Sequence, residues 1–500
     1  MTIVNNGDAI PGQTKTFNSY NQPSVNTDGL VVFRARGKGP GEPPHGIYLR
    51  DMSVEGSAIV KVVDRTTLVP PPNNRDSTFI EFPSFPRIDR ESDVFAFRGN
   101  SQPVYQYDDL EAVGTTGVFS DPGGVLVTGA AKLGTTPGFE FYAVPGVEPP
   151  LPFDVFPGAP AVTGTIIVFK GNYTEGTAAK TGAYYRELKP VDAGGSAPVE
   201  LLANNTDTVI PGSNPPMVFG SISPPSAADG HAVFAGFDNE DAPTLGGIYR
   251  TPLSPKPPLQ TLVSIGGPVP DGRGAPTGET FNRLGEGVSY DGRFVGFWGA
   301  WGTTTRPVTV HCPTSGNAGR RAFCLEQCPE PAGCTFQVPV HQGIFVHDTF
   351  AGRTHEIVAT GDWYLDFLFW NFSGKVPGQE GEDEGEPARW RSSSFVAVDR
   401  GVGALFRAAF KAETTAGTQT IDLVTGPGTP LLTPVTLVDT TMDGAVLDPE
   451  AKGLLITGLG LERDGLRGGQ LAIAAAMGSE EAGWAGLYLG RLSPGTGRGR

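Results

Sequence analysis

The chain has 500 residues, 38% of them hydrophobic, and its 37 basic against 53 acidic side chains leave a formal charge of −16. That balance excludes a nucleic-acid role, because a phosphate backbone needs a basic footprint and no Lys/Arg-rich run exists here; no apolar stretch approaches the length of a membrane span either. Gly (70) and Pro (46) recur at fixed places between apolar strands, which marks them as turn residues and not as low complexity.

The first element, Thr2 to Gly12 (TIVNNGDAIPG), is an apolar strand that runs into a Gly/Pro turn. It is followed by PSVNTDGLVVFRAR (Pro23 to Arg36) and, after a short loop, by HGIYLRD (His45 to Asp51). Period-2 apolar stretches ended by Gly, Asp and Pro are strands with turns. The same unit returns as AIVKVVDRTTLVP through TGVFSD, then as GVLVTGAAKLG, PAVTGTIIVFKGN and TGAYYREL, then as LLANNTDTVIPG, PPSAADGHAVFAGFDNED and GGIYRTPL. A fifth copy opens with TLVSIGGPVPDG, continues as GVSYDGRFVGFWGAWG and closes with HQGIFVHD; a sixth ends on TIDLVTG, and a seventh contains GQLAIAAA and AGLYLGRL.

The apolar leads begin at Ile3, Ile59, Val125, Leu201, Leu262, Ile357 and Leu437. Units of roughly 55 to 95 residues fit four-stranded blades plus loops. The fold class expected is therefore all-β: one seven-bladed β-propeller over residues 1–500, with insertions at about 298–339 and 361–392 and a flexible tail at 493–500. Within a blade the order is inner strand A (the PSVN part), B (LVVFRAR), C (GIYLRD) and outer strand D (IVKVVD). The chain then starts on strand D and ends on strand C, so Thr2 to Asn5 should close the ring beside Gly486 to Leu492 and leave no free sheet edge.

The segments DG-x-x-V-x-F and GIY resemble the TolB-like and related seven-bladed propeller repeats. The lead GDAIPG is similar to a tandem-repeat family of extracellular bacterial and fungal proteins. The resemblance covers nearly the whole chain and implies architecture; some secreted propellers of this look are polysaccharide lyases, but fold alone does not fix function.

Strands alternate in direction, so the D-to-A and B-to-C connections share one face of the disc, and the short A-to-B turns (NTDG, AADG, YDG) lie on the other. The two longest connections, Trp298 to Pro339 and Gly361 to about Ser392, come from adjacent blades on that loop-rich face and should wall one side of a central pocket. They hold Trp298, Trp301, Trp363, Trp370 and Trp390, five of the six tryptophans, together with Arg306, Arg320, Arg321, Arg389 and Arg391. His311 and His341 flank the cysteine-bearing segment. Aromatic faces stack on sugar rings and an Arg fork clamps a carboxylate; the competing reading is that the tryptophans pack the loops against each other. The residue after the strand-B Phe is Arg34, Arg98, Lys170 or Arg407 in four blades, which is either a basic collar for an anionic ligand or a set of ion pairs between blades. His45 and His341 stand just before GIY and QGIF, in what read as matching positions across the channel, and this makes them the acid/base candidates; the alternative is that they cap a strand.

Cys312, Cys324, Cys328 and Cys334 lie in one loop. Two disulfides, with three pairings open, fit an oxidising compartment; a four-thiolate zinc site lacks its two CxxC pairs. Sequons at Asn172, Asn204 and Asn371 fit secretion. No resident cofactor is expected, although the acidic run Glu380 to Glu386 could hold Ca²⁺ through its oxygens if it is not simply a solvated loop.

The function these residues point to is a secreted propeller that binds an acidic, uronic-acid-containing polysaccharide and cleaves it by β-elimination. Arg391 or a collar Arg would neutralise the uronate, His341 or His45 would move the proton, and Trp298, Trp301, Trp370, Trp390, Arg306, His311 and Arg389 would line the site. The alternative is a non-catalytic propeller that recognises a glycan or a protein through the same face. In either case the chain is expected to be monomeric, with an anionic saccharide or extracellular glycan as partner, no nucleic acid and no membrane.

Overall fold

The computed structural model describes residues 1–37, 44–71, 77–101, 116–132, 142–189, 197–255, 257–314, 318–361, 363–374, 376, 387–411, 416–425, 434–478 and 483–492. Seven small antiparallel sheets form the blades of a propeller. In blade one, strand A is broken into Phe17–Tyr20 and Ser24–Val25, B is Leu30–Gly37, C is His45–Asp51 and D is Val60–Asp64. The other outer strands are Val127–Ala131, Glu200–Asn204, Gln260–Ser264, Arg353–Ala359, Val435–Asp439 and Thr2–Asn5, so each apolar lead in the sequence forms or enters a strand D. Thr2–Asn5 pairs antiparallel with Gly483–Arg491 of blade seven, Thr2 opposite Tyr488 and Asn5 opposite Gly486, and so closes the ring as expected.

Two recurring glycines explain why the motif reads as it does. Where strand C meets strand D the register slips by a residue, which pushes a D-strand carbonyl towards the first residue of GIY. A Cβ at Gly46, Gly247 or Gly343 would lie only 2.6, 2.1 or 2.6 Å from that oxygen, so only glycine fits beside the bulge. In strand B, a Cβ at Gly99, Gly171, Gly236 or Gly299 would strike the strand-A phenylalanine at 2.6 or 2.7 Å. That phenylalanine lies edge-on to the strand-C aromatic: Phe79 to Phe119 at 4.9 Å, Phe153 to Tyr184 at 5.0 Å, Phe281 to Phe345 at 4.9 Å. The F-x-G of strand B and the aromatic of strand C thus specify one packing unit in each of blades two to five.

The axis is filled on the side of the A-to-B turns. Residues 461–467 of blade seven carry Glu462, Arg463, Asp464 and Arg467 into it. Arg87 of blade two, 1% exposed, donates to Asp464 (2.5 Å), to the Pro225 carbonyl (3.0 Å) and to Ser226 Oγ (2.9 Å) of blade four. Arg467 donates to Asp464, to the Val398 carbonyl of blade six (2.8 Å) and to the Tyr290 carbonyl of blade five (3.1 Å). Val25 N–H of blade one donates to the Asp464 carbonyl at 3.1 Å. One segment therefore ties five other blades at the centre, with each buried charge set against an opposite one; Glu462 Oε1 is held by charge alone, 3.4 Å from Arg463 and 3.7 Å from Arg87.

Candidate functional site

Strands B and C of blade five, Phe294–Val310 and Cys334–Asp348, are far longer than their counterparts and stay paired to Val310 opposite Cys334. The pairing beyond Trp301 projects from the disc by roughly 30 Å at the rise of a strand. A helix, Ala318–Gln327, covers its tip. The second insertion arises in a different place from the one the sequence suggested. Strand A of blade six begins at Tyr364–Asp366 and resumes at Val396–Asp399, both paired to strand B, so the insertion opens the mid-strand break that other blades also have. It does not lengthen the D-to-A connection. Its hairpin, Phe369–Ser373 with Arg389–Ser393, starts from the innermost strand of its blade.

The two insertions make one wall. Cys312, Cys324 and Cys328 form a small core with Phe372 and Ala388, and Cys334, Phe323 and Trp390 pack against it. The disulfides are Cys312–Cys324 and Cys328–Cys334, so the cysteines are spent as staples and form no thiolate zinc site. Trp370 stacks on Phe336 (4.5 Å between centroids), Trp390 Nε1 donates to Cys328 Sγ (3.2 Å), and Arg306 pairs with Asp366. Arg389 reaches Glu240 and Asp241 in the B-to-C loop of blade four, which extends the wall over three neighbouring blades. His311 sits near the tip with Glu330 (2.8 Å). Arg391 lies across the hairpin from the exposed Asn371 and donates to the Pro387 carbonyl (3.4 Å).

At the root of the wall His341 is exposed and stacks on Trp301 (centroids 6.1 Å, planes 25° apart), which in turn meets Phe345 edge-on. Trp298 goes elsewhere. It is 5% exposed in the core between blades five and six, and its Nε1 donates to Gln342 (2.8 Å), which donates on to Asp366 (2.9 Å). That indole is therefore part of the packing and presents no face to a ligand.

His45 and His341 are not equivalent, contrary to the sequence reading. Arg34 lies opposite Ile47 and Trp298 opposite Ile344, so the counterpart of His45 is Gln342, one residue on. On a strand that offset turns the side chain to the opposite face. His45 is buried beside Phe82, and its Nε2 accepts from Arg34 Nε at 2.7 Å. Burial, then the nearby guanidiniums, push its pKa far below the usual imidazole range.

The collar cations lie at one level in their strands but are engaged. Arg34 also donates to Asn21 (3.0 Å); Arg407 lies over the Phe369 ring (3.7 Å) and donates to Gln419 (2.5 Å); burial lowers both to about 10. Arg98 and Lys170 hold the same position, opposite Val118 and Ala183. Their neighbour Arg36 contacts Glu81 of the next blade (3.4 Å). Arg34 and Arg407 thus bond to neutral acceptors, an arrangement that neither the collar nor the ion-pair reading anticipated.

Glu380 to Glu386, Arg320's immediate upstream loop (315–317) and the tail from 493 lie outside the described residues. Of the sequons, Asn371 is exposed, whereas Asn204 is buried and accepts three backbone N–H bonds. No described helix is long and apolar enough to cross a membrane.

No protein-family model matches the chain, and no curated protein matches it in sequence. Among solved structures it is similar to the polysaccharide lyase Uly1, with 9% identity and a TM-score of 0.42 over 97% of this chain and 94% of that one. It is also similar to Zg3597, a family 117 glycoside hydrolase from the marine bacterium Zobellia galactanivorans (12% identity, TM-score 0.27, 63% and 84% covered), and to the isopeptidase AtxE2 (9%, 0.19, 67% and 49%). Likeness at this level concerns shape and carries nothing about chemistry.

Proposed function

We propose that the protein is a secreted propeller that binds an acidic, uronic-acid-containing polysaccharide along the stapled wall and cleaves it by β-elimination. The observation that carries this reading is His341, an exposed imidazole stacked on Trp301 where the wall meets the loop-rich face. A rigid wall with aromatic rings and guanidiniums suits a polyanionic sugar chain, since rings stack on pyranose faces and Arg pairs with carboxylates. In the reaction, a guanidinium beside the uronate, Arg391, withdraws charge from the carboxylate and acidifies the neighbouring C5 proton. His341 takes that proton, the C4–O bond breaks as the C4–C5 double bond forms, and His341 then passes the same proton to the leaving oxygen, which returns the imidazole to its starting state. His45, already an acceptor inside the blade, has a structural role in this scheme, so the proton step falls to His341. Two disulfides favour an oxidising compartment, in keeping with secretion.

The test is a panel of polyuronides incubated with the protein and followed by the ultraviolet absorbance of the unsaturated product. Activity in the wild type that falls by about 100-fold or more in His341→Ala supports the scheme, general acid–base groups being worth that much. Undiminished product in His341→Ala sinks it. Binding to the panel with no turnover in the wild type would leave recognition alone as the function.

A further inference from the structure

A second concave feature lies away from the wall, at the rim between blades four and five. After strand D of blade four (Gln260–Ser264) the chain makes a small hairpin, Pro268–Pro270 with Pro276–Leu284, before it enters the next blade. The hairpin's turn folds back on strand D of blade five, where Glu356 N–H donates to the Asp271 carbonyl at 3.2 Å. A half-open cavity of about 400 Å³ lies between these strands. That size suits one small ligand.

Its lining has a definite chemistry. Thr261, Ser264 and Thr354 bring three hydroxyls, His347 an imidazole and Arg353 a guanidinium, set against the faces of Pro268 and Pro270. His347 is 6% exposed and its Nδ1 bonds Thr354 Oγ1 (2.9 Å), so the ring is fixed. Burial lowers its pKa to about 4, which keeps it neutral and able to pair with a hydroxyl in either sense. Arg353 is exposed, and its cross-strand neighbour Asp348 is already held by both nitrogens of an Arg293 fork (3.0 and 2.6 Å). The stem of Arg353 is pinned by Gly274, at φ +80°, where an added Cβ would lie 2.7 Å from Arg353 Cδ. The charge is therefore carried at the cavity on a constrained stem, and among the described residues no carboxylate pairs with it.

We propose that this rim cavity binds a single acidic pyranose unit, with the ring against the prolines, the hydroxyls on Thr261, Ser264, Thr354 and His347, and the uronate carboxylate on Arg353. The site stands on its own residues and does not need the wall to bind or cleave anything.

The ligand could be a free uronic acid or the end of a polyuronide chain. Titrations with glucuronate, with glucose and with a trisaccharide ending in glucuronate separate these sources, read by saturation-transfer NMR and calorimetry on the wild type, Arg353→Gln and Trp370→Ala. Glucuronate should bind about tenfold more tightly than glucose, lose about tenfold in Arg353→Gln, and bind Trp370→Ala as it binds the wild type. Arg353 is exposed, so that variant should melt with the wild type. Trisaccharide binding of equal strength and equal Arg353 dependence assigns chain ends as the source; binding of glucuronate alone assigns the free sugar. The proposal is overturned by absence of glucuronate binding, by equal affinity for glucose, or by indifference to Arg353→Gln. Loss of binding in Trp370→Ala instead would place the sugar on the wall.

Discussion

His45 and Gln342 hold the same place in blades one and five, and each accepts a hydrogen bond from the strand-B side chain diagonally opposite, Arg34 at 2.7 Å and Trp298 at 2.8 Å. Blade six repeats the pair, with Arg407 donating to Gln419 at 2.5 Å. A glutamine at position 45 should therefore substitute well for the imidazole. His45→Gln should unfold within about 0.5 kcal/mol of the wild type, whereas His45→Ala, which leaves a buried guanidinium N–H without its acceptor, should lose about 1–3 kcal/mol. Denaturant unfolding of both variants checks this, and an alanine variant as stable as the glutamine one would refute the pairing's role.

Acid should weaken the fold through the same residue. His45 and His347 both have pKa values depressed by burial, the latter to about 4 against 6.5 for a free imidazole. In the window below 6.5 the unfolded chain takes up protons that the folded one refuses, so stability is full above 6.5 and drains as pH falls towards 4. Each group contributes at most about 1.4 kcal/mol per pH unit. Asp121 acts in the opposite sense: burial raises it to about 7, so its contribution is greatest in acid and is lost as pH rises through 7. Melting curves of the wild type between pH 7 and 5 should fall more steeply than those of the double variant His45→Gln/His347→Gln; identical slopes would rule out these histidines as the titrating groups.

Much of the ring could be read from the chain because most blades repeat the same local constraints. The glycine of GIY faces a bulged carbonyl, the F-x-G of strand B leaves room for a ring, and Asn26 or Asp291 caps the A-to-B turn by accepting backbone N–H bonds. Period, turn chemistry and packing agree at those positions, so pattern alone locates them. The site was less legible. The single Gln inserted between His341 and Gly343 shifts the histidine by one residue, and only the ladder shows which face it takes. The burial of Trp298 could not be foreseen either, since its acceptor Gln342, and Asp366 to which Gln342 donates in turn, are distant from it in sequence. The axial segment 461–467 does stand out in the sequence: LERDGLR places four charges on strand A of blade seven, where strand A of blade one reads NQPSV.

That segment makes the centre sensitive to single changes. Arg87 neutralises Asp464 and stands 3.7 Å from Glu462, both buried. Arg87→Met removes one of the three guanidiniums that oppose the two carboxylates, leaving Arg463 on Glu462 and Arg467 on Asp464, and also strips the Pro225 carbonyl and Ser226 of their donor, at a cost of about 3–5 kcal/mol. The loss should appear as a single cooperative transition at lower denaturant, because the segment touches blades on every side of the ring. A variant that unfolds with the wild type, or in which blade seven alone frays by hydrogen exchange, would show that the axial charges do not couple the blades.

The wall should respond to reductant while the ring does not. Its core contains both disulfides, which close loops between residues 12 and 6 apart in sequence, and few other buried apolar groups: Phe372, Ala388 and parts of Phe323 and Trp390. A cross-link of about 15 residues contributes roughly 3 kcal/mol in the chain-entropy account, which is large against so small a cluster. All four cysteines lie in the wall, and the ring is closed by the pairing of Thr2–Asn5 with Gly483–Arg491. Hydrogen exchange with and without a phosphine reductant should therefore show amides of the paired stretches near Val310, Cys334 and Trp370 losing protection, while those of Leu30–Gly37 keep theirs. Equal protection in both states would mean that the Trp370–Phe336 stack and the Arg306–Asp366 pair hold the wall without its staples. Loss across the ring as well would mean that the wall is part of the propeller's own cooperative unit.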